Sequence, residues 1–372
     1  MSYATDPRVD EAKAFSMPEV VHRLGVQGLR DNSGELIGPC PLCGGRDRFG
    51  INKGKKTFLC RKCDIRGGDT IALVMAVLGM KFPDALTFLC GDQAAVISQD
   101  EIDARRDRAR RAEQEQADKS AQFRRWAIAK AVKIWNSAER VSGGPLFDYL
   151  RGRGFGDAVL SDLPKAIRFL PDHPYIKKVG GENVTMHRGP CMIAGILTPG
   201  NVLGAVHRTW INPEPPFGKA VISHGGEKQP AKLVIGSKKG GAIRLTSRCS
   251  SVLIMGEGIE TTLSAFAADP IEGADYWAGV DLGNMSGKMQ RVPGVRYSGL
   301  PDLSDRDAFV PPPWVTRLIY IQDGDSEEKM TRAKLTSGLQ RAMAFYPGLR
   351  AQIVRAGQGI DLNDLLLSGA SK

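Results

Sequence analysis

Cys40-Pro-Leu-Cys43 and Cys60-Arg-Lys-Cys63 are separated by sixteen residues, and that spacing decides how the N-terminal part folds. Two Cys-x-x-Cys knuckles so placed can close a tetrahedral thiolate cage around one Zn²⁺. Gly44-Gly45, directly after the first knuckle, gives the backbone the freedom a tight turn needs. Two separate redox pairs or buried thiols are the alternative, and the paired spacing speaks against it. From Cys40 to Arg66 the chain carries Arg46, Arg48, Lys53, Lys55, Lys56, Arg61, Lys62 and Arg66 against only Asp47 and Asp64, so this stretch supplies +6 of a net +10. A small zinc module of that charge density reads as a nucleic-acid contact surface, with Arg46, Arg48, Lys55, Lys56, Arg61 and Lys62 as its DNA-binding candidates.

At 372 residues the chain is long for one core, and 42% hydrophobic residues allow a sizeable one. No apolar run approaches the roughly 20 residues of a membrane span, so no membrane partner is expected. The first thirty residues hold Asp6, Asp10, Glu11 and Glu19 and no apolar stretch of signal-peptide length, so a cytoplasmic location is expected. Seven cysteines also suit a reducing compartment: four go to zinc, and Cys90, Cys191 and Cys249 read as small buried hydrophobes.

The expected organisation is multidomain, α/β and α+β. Residues 1–95 form a zinc-ribbon DNA-binding domain with flanking helices, since residues 16–30 and 68–90 have helical apolar spacing. Residues 96–144 form a helical linker, because Asp100 to about Arg140 has no Gly or Pro and mixes eleven basic with eight acidic residues. Residues 145–249 form a basic subdomain of net +8, and residues 250–372 an acidic domain of net −3.

The acidic part holds the second constellation. Ser251-Val-Leu-Ile-Met255 is a short apolar run that ends at Gly256-Glu257-Gly258, and Arg317-Leu-Ile-Tyr-Ile-Gln322 ends at Asp323-Gly324-Asp325. Each is followed by a helical pattern, so the acids sit at strand tips of a parallel sheet, where ligands bind. Ala351-Gln-Ile-Val354 is a third strand candidate, followed by Asp361-Leu-Asn-Asp364. Carboxylates gathered this way repel one another, and a hard divalent cation such as Mg²⁺ or Mn²⁺ relieves the repulsion. Standing alone, Asp-Gly-Asp would read as a polar turn; Glu257 on a matching tip argues otherwise.

At these residues the chain resembles a known family. Met255-Gly-Glu257-Gly-Ile-Glu-Thr261 followed by Asp323-Gly-Asp325 is similar to the Toprim domain of DnaG-type primases, topoisomerases and related nucleases, whose pattern is a Glu after one strand and Asp-x-Asp after a later one. Cys60-Arg-Lys-Cys63-Asp-Ile-Arg-Gly67-Gly68-Asp69 resembles the second knuckle of the primase zinc ribbon. Tyr149-Leu-Arg-Gly-Arg153-Gly-Phe155, Val202-Leu-Gly-Ala-Val-His-Arg208 and Lys232-Leu-Val-Ile-Gly236 resemble successive motifs of the primase core. The resemblance runs in order over roughly residues 15–95 and 145–366. It implies a DNA primase of the short kind found in phages, plasmids and mobile elements, with 145–249 a primase core subdomain and 250–372 a Toprim catalytic domain. Two departures stand out: all four zinc ligands are Cys where replicative primases usually include a His, and Thr261, with Glu260 beside it, occupies a position where the family usually has a carboxylate.

The expected mechanism is two-metal nucleotidyl transfer that makes a short primer, RNA by preference, on single-stranded DNA. Glu257, Asp323 and Asp325 are the catalytic metal ligands, with Asp361 or Asp364 helping. Arg153, Arg208, Lys232 and Lys238 are candidates to hold nucleoside triphosphate and template, Arg208 first among them. Phe49, Phe58 and Trp126 are candidate stacking platforms, although a core position explains each of them as simply. A replicative helicase is a further candidate partner. The five histidines show no ligand spacing. Two other classes compete: a Toprim nuclease using the same carboxylates to cut, and a non-catalytic single-stranded DNA-binding factor of recombination or replication. A phosphate loop is disfavoured, since Ser286-Gly287-Lys288-Met289 lacks its spacing.

Overall fold

The structure is a computed structural model that describes residues 6, 8–32, 34–91, 99–268, 270–323, 327–355 and 362–367. It divides into two compact units, Met1–Asp118 and Lys119–Lys372. The division falls inside a 39-residue helix, Gln99–Ser137. Among the described residues, no single helix is long and apolar enough to cross a membrane.

The first unit is an antiparallel ribbon of strands Arg30–Asn32, Glu35–Cys40, Gly44–Asn52, Thr57–Cys60 and Arg66–Gly67, each paired with the next. Alternation puts Phe49, Ile51 and Phe58 inside, against Ile71, Leu73 and Val74 of helix Thr70–Leu78 and Leu86 and Leu89 of helix Phe82–Cys90. Asp69 caps the first of these, its carboxylate accepting from Ala72 N at 2.8 Å, and Gly79 ends it at φ 67°. Ribbon and helix meet at Gly67, where a Cβ would lie 2.4 Å from the Phe58 ring and 2.7 Å from Ala72 Cβ.

The second unit holds two sheets. An antiparallel sheet runs in the order Lys232–Gly236, Leu203–Asn212, Glu182–Leu197, Ile167–Val179. One of its faces packs under the end of the long helix, through Ala131, Ile134 and Ala138 against Tyr175, Val206 and Trp210. The other sheet runs Ile243–Arg244, Asp275–Ala278, Val252–Gly256, Arg317–Gln322, Arg350–Arg355, and every pairing but the first is parallel. Its central strands are apolar along almost their whole length because helices cover both faces. Residues 145–249 and 250–372 share one core, in which Leu146, Phe155 and Met192 pack with Ile259, Leu263 and Ala278. Of the three cysteines read as buried hydrophobes, Cys191 is buried and Cys90 half-buried, but Cys249 is exposed in a left-handed turn at φ 55°.

Because the Phe58 ring and the Ala72 methyl both crowd Gly67, Gly67→Ala should lower the stability of the Met1–Asp118 unit by about 1–3 kcal/mol in chemical denaturation. The transition of the Lys119–Lys372 unit should not move.

Candidate functional site

The four predicted zinc ligands converge. Cys40 and Cys63 Sγ are 3.6 Å apart, as are Cys43 and Cys60, and all four sulfurs lie within 4.8 Å of one another. A tetrahedron with Zn–S bonds of about 2.3 Å has edges near 3.8 Å, so one ion fits. The turns are shaped for it: Gly44 and Gly45 have φ of 63° and 94°, Asp64 has φ 60°, and Lys62 N donates to Cys60 Sγ at 3.4 Å.

Around this cage, Arg46, Lys55, Arg61 and Lys62 are exposed and Arg48 half-buried, so these five keep their charges at or near the surface. Lys56 is placed differently. Its ammonium donates to the carbonyls of Lys13 and of Phe15, the latter at 2.9 Å, closing the end of helix Arg8–Ala14. Burial lowers its pKa, as expected of a structural lysine. Phe49 and Phe58 are core residues, their rings 6.1 Å apart, and neither offers a stacking face.

The second site lies at the tips of the parallel sheet. The chain leaves strand Val252–Gly256 for Asp275–Ala278 on one side and later returns to Arg317–Gln322 on the other, so a crevice opens where the order reverses. In register, Met255 lies beside Tyr320, which brings Glu257 and Asp323 just past the ends of neighbouring strands about 4.8 Å apart. Thr261, one turn into helix Ile259–Ala268, donates its hydroxyl to Asp323 Oδ2 at 3.1 Å. It thus orients one carboxylate rather than adding another. Burial raises the pKa of Glu257, and the nearby Asp281 carboxylate raises it further. A divalent cation would relieve that strain, so these residues fit such an ion. Asp325 and Asp361 lie outside the described residues. Asp364 is exposed on helix Leu362–Leu367, whose Asn363 donates to the carbonyl of Arg153 at 2.8 Å.

Beneath the tips is a buried charge cluster that sequence reasoning did not foresee. Glu260, 5% exposed, accepts from Tyr149 OH at 2.8 Å and pairs with Lys232 at 3.1 Å and Lys219 at 3.3 Å. Burial alone would raise its pKa; the two ammonium groups outweigh burial and hold it well below the carboxylate range. One carboxylate cannot fully serve two ammoniums. Burial opposes the charge of Lys232, but Glu260 raises its pKa on balance, whereas Lys219 is lowered by burial with Lys232 adding to the effect. Arg153 acts on both lysines and on Tyr149, so it belongs to the same cluster.

Of the four predicted phosphate-binding cations, therefore, Arg153 and Lys232 come together, and Lys232 also acts on Glu257. Lys238 pairs with Asp281, which caps helix Leu282–Ser286. Arg208 does not join them. It pairs in register with Leu233 rather than Lys232, so it points to the opposite face of the sheet, where it is 9% exposed and stacks over Trp210 at 5.2 Å. Asp281, Lys219 and Tyr149 were missed; only the placement of Asp281 after an apolar run, Tyr276-Trp277-Ala278, could have signalled it.

Cys43→Ser should release the metal and unfold the ribbon, since such a site supplies about 10–16 kcal/mol of folding free energy, while the Lys119–Lys372 unit stays folded. Metal analysis of the parent should find one zinc per chain; a value near zero would contradict the cage. Glu260→Gln leaves two lysines without their counter-ion and should cost about 3–5 kcal/mol at neutral pH. The carboxyl pKa is depressed on folding, so its contribution is complete above the ordinary Glu value near 4.3 and falls away as pH drops below it. The gap between parent and variant, read by denaturation at several pH values, should narrow only in that acid range.

Comparisons with known proteins agree with part of this reading. Residues 37–71 match a family described as the zinc-binding domain of primase-helicase, and residues 125–245 match one described as a domain of unknown function, DUF7146. The zinc-binding and RNA polymerase domains of Aquifex aeolicus primase are similar at 13% identity and a TM-score of 0.35, over 97% of this chain and 82% of that one. The primase fragment of the bacteriophage T7 primase-helicase is similar at 12% identity and a TM-score of 0.34, over 90% and 94%. The RNA polymerase domain of Mycobacterium tuberculosis primase DnaG is similar at 14% identity and a TM-score of 0.34, over 66% and 79%. The ribbon, with its four converging thiols, is primase-like.

Proposed function

We propose that the chain is a DNA primase of the Toprim kind, which joins nucleoside triphosphates into a short primer on single-stranded DNA. The observation that carries the reading is that Glu257 and Asp323 follow neighbouring parallel strands at the sheet's switch point, with Lys232, grouped with Lys219 and Arg153, acting on Glu257. Acids and cations in one crevice suit a metal-bound triphosphate, which needs both. The ribbon's similarity to a primase-helicase zinc domain supports DNA as the template and makes a replicative helicase the proposed partner.

Divalent ions such as Mg²⁺ would supply charge neutralisation of the triphosphate and activation of the primer 3′-hydroxyl. Glu257 and Asp323 would hold them, with Asp325, Asp361 and Asp364 proposed to complete the set. Thr261 fixes the rotamer of Asp323, and Glu260 holds the ammonium groups of Lys219 and Lys232 in place. Lys232, whose charge acts on Glu257, meets phosphate oxygens as a point charge. Exposed Arg46, Lys55, Arg61 and Lys62, with half-buried Arg48, hold the template backbone.

Labelled nucleotide incorporation on unprimed single-stranded DNA with Mg²⁺ or Mn²⁺ tests the reading. The parent should make short products. Asp323→Asn keeps the side-chain shape and removes a charge the ion needs, so synthesis should fall by at least about 100-fold with template affinity unchanged. Degradation of nucleic acid that depends on Asp323, with no synthesis, would replace the primase by a nuclease.

A further inference from the structure

The long helix changes character along its length. Residues 99–118 mix five basic with seven acidic residues, whereas residues 119–137 hold Lys119, Arg124, Arg125, Lys130 and Lys133 and no acid at all. One face of this second half is buried, through Ala127, Ala131 and Ile134. Flanking that face, Phe123, Trp126, Lys130 and Lys133 follow one another at spacings of three, four and three residues, which lines them up as a single stripe.

That stripe is open to solvent. Phe123 is 67% and Trp126 53% exposed, their rings 5.4 Å apart, and the ammonium of Lys130 sits 5.2 Å from the Trp126 ring centre. Scattered exposed apolar residues are ordinary, but two adjoining aromatics among cations are not. On the sheet below, burial pushes the pKa of His173 down to about 4, with Arg208, Arg188 and Lys130 adding to it and Asp172 opposing.

We propose that this stripe is a second binding site for single-stranded nucleic acid, in addition to the one proposed on the zinc ribbon: bases stack on the Phe123–Trp126 pair, and phosphates meet Lys130 and Lys133. Single strands present π-faces and regular negative charge together, the two features this face complements. An apolar protein groove would have to bury the same cations without partners. The site is a matter of binding alone and does not depend on the strand-tip chemistry.

Fluorescence anisotropy of labelled oligothymidylate with the full chain tests it. Phe123→Ala/Trp126→Ala should weaken binding by about 10-fold or more and leave the salt slope unchanged, because stacking releases no counterions. Lys130→Gln/Lys133→Gln should weaken binding and reduce the log–log salt slope by about 1.4. Oligonucleotides bearing 5-iodouracil should crosslink to Phe123 or Trp126. Parent-like affinity in both double variants, whose helicity by circular dichroism matches the parent, would overturn the proposal. So would a shift from dimer to monomer on sedimentation in the aromatic variant without loss of binding, which would make the stripe a contact between two copies. Asp323→Asn should bind as the parent does, so loss of synthesis and loss of this site read out separately.

Discussion

One carboxylate ties the two sheets of the Lys119–Lys372 unit together. Glu260 projects from the helix that follows the parallel strand Val252–Gly256, while its partners Lys232, Lys219 and Tyr149 come from the antiparallel sheet and the helix Pro145–Gly152. A buried carboxylate without partners would cost several kcal/mol, so the two layers can meet only in a register that supplies the ammonium groups. That register also sets where Glu257 stands, three residues earlier on the same turn. The charge cluster is structural in origin, and its side effect is to hold two cations beside the acidic strand tips.

Charge is partitioned along the molecule accordingly. The ribbon holds exposed cations around a thiolate cage, the second half of the long helix is basic without acids, and residues 250–372 are acidic at their strand ends.

The sequence was informative wherever the signal was local. Four cysteines at fixed spacing, and apolar runs ending in Glu257 and Asp323, name their structures because knuckle and strand tip are each a few residues long. It was silent where partners lie far apart: Lys219 and Glu260 are forty-one residues distant, and no pattern in either segment announces the pair. Strand parity misled as well. Arg208 carries the right chemistry, but its register turns it to the helix-covered face, and reading that requires knowing which of its neighbours pairs with Lys232. Lys56 is basic like its neighbours yet is spent on helix carbonyls, and Trp126, which a core position would explain, is exposed. A residue's charge or ring gives its capacity, and only packing gives its direction.

The central claim is that Glu257 and Asp323 jointly hold a divalent cation at the sheet's switch point. Electron paramagnetic resonance of Mn²⁺ titrated into zinc-loaded protein measures this without nucleotide, template or turnover. The account predicts saturable Mn²⁺ binding by the parent and at least about 10-fold weaker binding by both Glu257→Gln and Asp323→Asn. Parent-like Mn²⁺ affinity in both variants would place the ion elsewhere and contradict the account.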